Sequence, residues 1–187
     1  MSTNQKGTKR IALRGFSRLS LFPVLENTEE NYEAGERFAL PHAQSMTREA
    51  DVSRETIYAD DGIYLDLKTW NGLRSTITLV EVTLPMMAQL GFGIYDEATD
   101  TLSWNPNGTN REFAMTFACE RTDGEYRMYR MYSFVVNDVA EGSSSTMGES
   151  GGVNTYQLSG IFTGRKLDKL PAQIHDGKNL DWLATIE

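Results

Sequence analysis

The stretch FAMTFACERTDGEYRMYRMYSFVV, residues 113–136, decides the fold. Two alternating segments flank Asp123-Gly124, a pair that suits a two-residue type I′ turn in which both central residues need positive φ. With Thr122 opposite Glu125, the ladder sets Glu120 against Arg127, Phe117 against Arg130 and Met115 against Tyr132. One face then collects Phe113, Met115, Phe117 and Cys119 with Met128, Tyr132 and Phe134, an apolar set that needs cover. The other face holds Ala114, Thr116, Ala118, Glu120, Arg127, Tyr129 and Ser133 and is expected to meet water. A cross-strand Glu120–Arg127 ion pair would add about 0.2–1 kcal/mol, enough to favour this register over a one-residue slip. Glu141 to Gly152 follows, a Gly/Ser-rich tract read as a flexible insertion. A third strand from Val153 to Thr163 then turns Asn154, Tyr156, Leu158, Gly160 and Phe162 toward the core.

Outward from this centre the pattern stays mainly β. Residues 1–187 read as a single domain with a polar N-terminal arm at 1–10 and a C-terminal arm at 171–187. Ile11 to Leu25 reads as an extended segment, and Glu26 to Arg37 as an acidic surface loop. A second hairpin runs from Val52 and turns at Asp61-Gly62, which places Tyr58 opposite Leu65, Thr56 opposite Leu67 and Glu55 opposite Lys68. Asn71-Gly72 reads as another turn, before a Thr/Val-rich strand from Ser75 to Leu84. Pro85 opens a short helix that stops at Gly91, and Phe92 to Gly108 reads as a small hairpin or excursion. In the tail, Leu180, Leu183 and Ala184 have helical spacing beside Trp182. Trp182 and Leu183 are expected to dock on a neighbouring subunit, since such surface is wasted in solvent.

The formal net charge of −8 offers no basic footprint for gripping nucleic acid, although a like-charged wall lets DNA slide past. The single cysteine, Cys119, reads as a small buried hydrophobe and excludes a disulfide within the chain. No apolar run approaches the ~18 residues of a membrane span, and residues 1–10 resemble no signal segment, so a cytosolic protein without membrane insertion is expected. Walker A, paired CxxC, HExxH and GxSxG patterns are all missing, so no catalytic residue, cofactor or metal is assigned. His42 and His175 read as ordinary loop residues. Asp60, Asp61 and Asp66 could form a carboxylate cluster, but Asp-Gly is common turn chemistry and they read as solvated acids of a hairpin. Asn107-Gly108-Thr109 reads as a turn rather than a glycosylation acceptor. Tyr126, Tyr129 and Tyr132 alternate with Arg127 and Arg130, yet the strand period splits them between faces and argues against a base-stacking platform.

Three stretches together carry a resemblance: Glu55 to Gly62 (ETIYADDG), Leu84-Pro85 opening the short helix, and Tyr126 to Tyr132 leading to Thr155 to Phe162 (TYQLSGIF). In order and spacing, roughly Val52 to Lys166 resembles the major tail tube proteins of long, non-contractile-tailed bacteriophages. The resemblance implies a mainly β (α+β) fold, a β-sandwich or β-roll with one short flanking helix whose sheets join between subunits into a barrel-lined ring. It also implies six subunits per ring, rings stacked into a virion tail tube that delivers DNA, and assembly in the host cytoplasm. The implied partners are other copies of the chain, a tape measure protein, and tail terminator or baseplate proteins. The long acidic N-terminal region and the insertion at 141–152 depart from the family pattern. Thr116, Glu120, Arg127 and Ser133 are the candidate lumen-facing residues on the polar face of the central hairpin. A secretion-tube or other virion component remains an alternative, as does a small acidic hydrolase or carbohydrate-binding β-sandwich using Asp60, Asp61 and Asp66.

Overall fold

The computed structural model describes residues 11–105, 112–141 and 155–186. In chain order its strands are β1 (Leu13–Asn27), β2 (Tyr32–Ala34), β3 (Phe38–Ala39), β4 (Ala43–Ala59) and β5 (Gly62–Leu79). The helix α1 (Leu84–Gln89) precedes β6 (Gly93–Asp96), β7 (Thr101–Trp104), β8 (Glu112–Arg121) and β9 (Tyr126–Glu141). Then come β10 (Tyr156–Phe162), β11 (Ala172–Gly177) and a 3-10 turn, Leu180–Leu183. One antiparallel sheet runs β2-β1-β8-β9-β10-β5-β4, with β3 added to β1 and β11 to β9, while β6 and β7 pair separately. The mainly β fold with one short helix is the expected one. The arms at 1–10 and most of the insertion at 141–152 lie outside the described residues, as does Asn107-Gly108-Thr109.

The central hairpin forms, but its turn is one residue longer than expected. Arg121 pairs with Glu125 across the loop Thr122-Asp123-Gly124: the Arg121 N–H donates to the Glu125 carbonyl at 2.8 Å, and the Gly124 N–H to the Arg121 carbonyl at 3.0 Å. Only Gly124 has positive φ, +82°, so this is a three-residue loop closed by a left-handed glycine rather than a type I′ turn. The added residue slips the register by one. Glu120 faces Tyr126, Phe117 faces Tyr129 and Met115 faces Met131, until a bulge at Ser133 (φ +56°) restores the expected pairing of Phe113 with Phe134.

Phe113, Met115, Phe117, Met131 and Phe134 are all buried on the inner face. There Phe117 stacks on Tyr129 with ring centroids 4.6 Å apart, and Phe134 stacks on Phe162 at 4.5 Å. The expected core face of the third strand is present at Leu158, Gly160 and Phe162. At Gly160 a Cβ would lie 2.4 Å from the Val135 carbonyl oxygen, so only glycine lets β9 and β10 meet there. The sheet curls until β4 reaches β1, which sets the Arg48 guanidinium 4.9 Å from the Tyr129 ring centroid. Helix α1 carries Pro85 in its first turn and ends where Gly91 (φ +91°) donates to the Ala88 carbonyl; it closes the core with Met87, and Leu90 follows it in.

The second hairpin also differs in detail. Its two-residue turn is Asp60-Asp61, with φ of +50° and +62°, one position before the expected Asp61-Gly62. Tyr58 consequently faces Ile63, and Glu55 faces Leu67. Asn71-Gly72 is not a turn, because β5 runs unbroken through it. A Cβ on Gly72 would sit 2.5 Å from the Phe162 carbonyl oxygen, so this glycine serves a close strand approach.

Candidate functional site

The pairing of β5 with β10 ends at Leu73–Phe162, and beyond it β4 and β5 continue as a two-stranded arm, residues 52–70. A two-stranded ribbon is marginal in water by itself, and this one leaves its apolar side chains uncovered. Ile57, Leu65 and Leu67 share one face and are each more than 40% exposed. Near the tip, Tyr58, Ile63 and Tyr64 are 71%, 63% and 75% exposed. Full burial of such side chains is worth about 1.5–3 kcal/mol each, so a contiguous set left in solvent marks a surface built for a partner. On the opposite face the Arg54 Nε donates to Asp66 Oδ1 at 2.8 Å, and this bond holds the Asp66 carboxyl below its ordinary range. Along its whole 17 residues β4 is paired only to β5 among the described residues, and its other edge presents unpaired N–H and C=O groups.

A second surface is polar. In one row across four strands, Thr47 of β4 faces Thr76 of β5, Thr76 faces Ser159 of β10, and Ser159 faces Asp138 of β9. The next inward row, Met46, Ile77, Leu158 and Val139, belongs to the core. The face outside β4-β5-β10-β9 therefore carries hydroxyls and carboxylates, and its cation, Arg74 opposite Glu49, is paired with Asp51. Its Thr-rich strand was legible in the sequence, but the row it forms depends on pairings distant along the chain.

The face expected to be wet is largely covered. Thr116 is fully buried and donates to the Leu183 carbonyl at 3.1 Å; Ser133 is buried and shares a 2.7 Å hydrogen bond with the Thr163 hydroxyl. Neither can face a bore. Leu183 is buried against Ala118 and Met128, and the Arg130 guanidinium lies 4.2 Å from the Trp182 ring centroid while donating to the Trp182 carbonyl. The tail thus docks on its own sheet, which corrects the expectation at Leu183, buried within the subunit, while Trp182 stays half-buried. The reason is β11, which pairs with β9 and delivers the 3-10 turn to that face.

Glu120 is exposed but does not pair with Arg127, because the one-residue slip places them on opposite faces. Arg127 instead donates to both oxygens of Asp176, at 2.7 and 2.8 Å. The buried Arg121 joins this cluster, 2.9 Å from Asp176 and 2.7 Å from Asp123. Together the two arginines hold the Asp176 carboxyl below the usual range. Cys119 is half-buried against the core, and burial pushes its thiol up. His42 follows β3 with φ +61°, whereas His175 lies on β11 against Trp182.

Asp66 is held by Arg54, five residues along the strand from Asp61, about 16 Å at ~3.3 Å per residue. The three acids of the hydrolase alternative are not brought together. Among the described residues no cluster of three or more His, Cys, Asp or Glu side chains could hold a metal ion, and no helix is long and apolar enough to cross a membrane.

No known protein family matches the sequence, and no curated protein does. Among solved structures the chain is similar to one described as "Cryo-EM structure of the anti-feeding prophage (AFP) baseplate, 6-fold symmetrised", at 10% identity over 90% of this chain and 96% of the other. The TM-score of that match is 0.43, too low for it to assign fold or function.

Proposed function

We propose that the chain is a non-enzymatic structural subunit that assembles with its own copies into rings, six to a ring, stacked as a virion tail tube through which DNA passes. The observation that carries this reading is the pairing of an uncovered apolar arm with a 17-residue unpaired edge strand in one chain. A monomer gains nothing from either; an assembly uses both. The edge of β4 can hydrogen-bond to a neighbour's β9 beyond Val135, where the described ladder with β8 has ended. Repeated around a ring, this addition extends β4-β5-β10-β9 into a closed cylinder without edges. The row of Thr47, Thr76, Ser159 and Asp138 then lines the bore in place of Thr116 and Ser133. Hydroxyls and acids offer phosphates few cationic contacts, so DNA slides past. The order of the three motif stretches supports the tail-tube form of this reading, with tape measure and terminator or baseplate proteins as further partners. Electron microscopy with sedimentation velocity on the purified chain tests it. Rings or tubes of fixed bore are expected, and a monomer that persists at the highest attainable concentration overturns the reading.

A further inference from the structure

At the root of the arm lies a cavity of about 540 Å³ whose lining includes Trp70, Val135, Lys166 and Lys169. That volume is within the ~300–1,000 Å³ range of clefts that take a ligand or an anchoring side chain. Trp70 supplies an aromatic wall that is 43% exposed. Of the cations at the rim, Arg165 is paired with Asp168, whereas Lys166 and Lys169 have no carboxylate within ion-pair distance among the described residues. Glu29 and Glu112 also line the cavity, Glu112 accepting from Asn27, so the cations of the lining, Arg165, Lys166 and Lys169, exceed its carboxylates by one. In a chain of net charge −8, two adjacent unpaired lysines beside an open tryptophan are complementary to something acidic and aromatic.

The arm tip has that composition. Asp60 and Asp61 form the turn, without an ion-pair partner among the described residues, and Tyr58, Ile63 and Tyr64 stand exposed around them. We infer that the Tyr58–Tyr64 tip of one copy seats in the Trp70–Lys166–Lys169 cavity of a second copy. The inference rests on the self-assembly reading above and identifies one of its contacts. A chain cannot fill its own cavity, since Trp70 lies nine residue steps of extended strand from Asp61, about 30 Å at ~3.3 Å per residue. Tip and cavity are different surfaces, so the contact is heterologous: each copy that accepts a tip still offers one, and the chain of contacts closes into a ring or continues as a filament.

Two measurements test it. Asp60→Asn with Asp61→Asn removes the charge while keeping residues that tolerate left-handed backbone, and it is expected to raise the concentration at which assembly begins at least fivefold. The same rise is expected for Lys166→Gln with Lys169→Gln. An unchanged threshold in both overturns the contact. In a Cys119→Ser background, one protein then carries Tyr64→Cys and another carries Lys169→Cys. Oxidation of the mixture should give disulfide-linked dimers, and neither protein alone should. Dimers from the Tyr64→Cys protein alone, or none from a mixture that still forms rings or tubes, overturn this contact but leave the assembly reading standing. Failure of the wild-type chain to assemble overturns both.

Discussion

Two hairpins of this molecule are written in the same alternating pattern, and they use it in opposite ways. In β8–β9 every residue from Phe113 to Ala118 is buried, with the core on one face and the chain's own tail on the other. In the distal half of β4–β5 every residue from Gly62 to Asn71 is exposed. Alternation therefore states that a strand has two faces; it does not state what covers them. The central hairpin has β1, β10 and β11 as neighbours, whereas the arm has only itself. Burial within one chain makes the first a determinant of folding. Lack of it makes the second a determinant of association.

The largest effect should fall on the central hairpin. Phe117→Ala removes a fully buried ring stacked on Tyr129 and tilted against Phe16 at 5.2 Å, and should destabilise the subunit by about 3–5 kcal/mol. Urea unfolding of the monomer measures it; a loss below about 1 kcal/mol would mean that this hairpin is no more buried than the arm.

A smaller effect is set by pH. Hydrogen bonds from Arg127, and then the charges of Arg127 and Arg121, depress the Asp176 carboxyl in the folded chain. A depressed carboxyl stabilises the fold fully above its unfolded value, near 3.9, and loses that contribution as pH falls through the folded value. Amide protection along β11 should accordingly drop below about pH 4, and Asp176→Asn should remove the pH dependence. Protection that is flat to pH 2, or unchanged in its acid sensitivity by Asp176→Asn, would show that the tail is held without this cluster.

The arm should respond in the reverse sense to the core. Ile57→Thr, Leu65→Thr and Leu67→Thr each place a β-branched, strand-favouring residue on a solvated ribbon, so each should change monomer stability by no more than about 0.5 kcal/mol. Assembly, followed by sedimentation, should be lost in the triple variant. Normal rings from that variant would remove the contrast between the hairpins.

How far the sequence reveals this division can be judged at particular residues. Strand character, the short helix at Pro85 and the core face of Leu158, Gly160 and Phe162 follow from local period and turn chemistry, which neighbours in sequence determine. The register near Asp123-Gly124 does not, because a two-residue and a three-residue loop share the same dipeptide and differ only in whether Asp123 adopts positive φ. That one residue moved Arg127 to the face opposite Glu120. The burial of Thr116 was equally hidden, since its cover, Leu183, lies 67 positions later in the chain. A turn near Asp61 was visible, one position late at Asp61-Gly62, but the arm's isolation was not: the Asn71-Gly72 signal suggested a chain reversal where β5 continues straight.

The finest discrimination concerns that register. If Glu120 faced Arg127 directly, as a two-residue turn requires, removing either would cost the pair's coupling, typically about 0.2–1 kcal/mol for an exposed ion pair. With Glu120 opposite Tyr126 and Arg127 bonded to Asp176, a double-mutant cycle of Glu120→Gln and Arg127→Gln should give a coupling near zero. The cycle of Arg127→Gln and Asp176→Asn should give a favourable coupling, since two parallel hydrogen bonds hold the pair in a fixed geometry. Glu120→Lys alone should move stability by no more than about 0.5 kcal/mol, as at other exposed positions. A measurable Glu120–Arg127 coupling with none between Arg127 and Asp176 would restore the two-residue turn and return Arg127 to the Glu120 face.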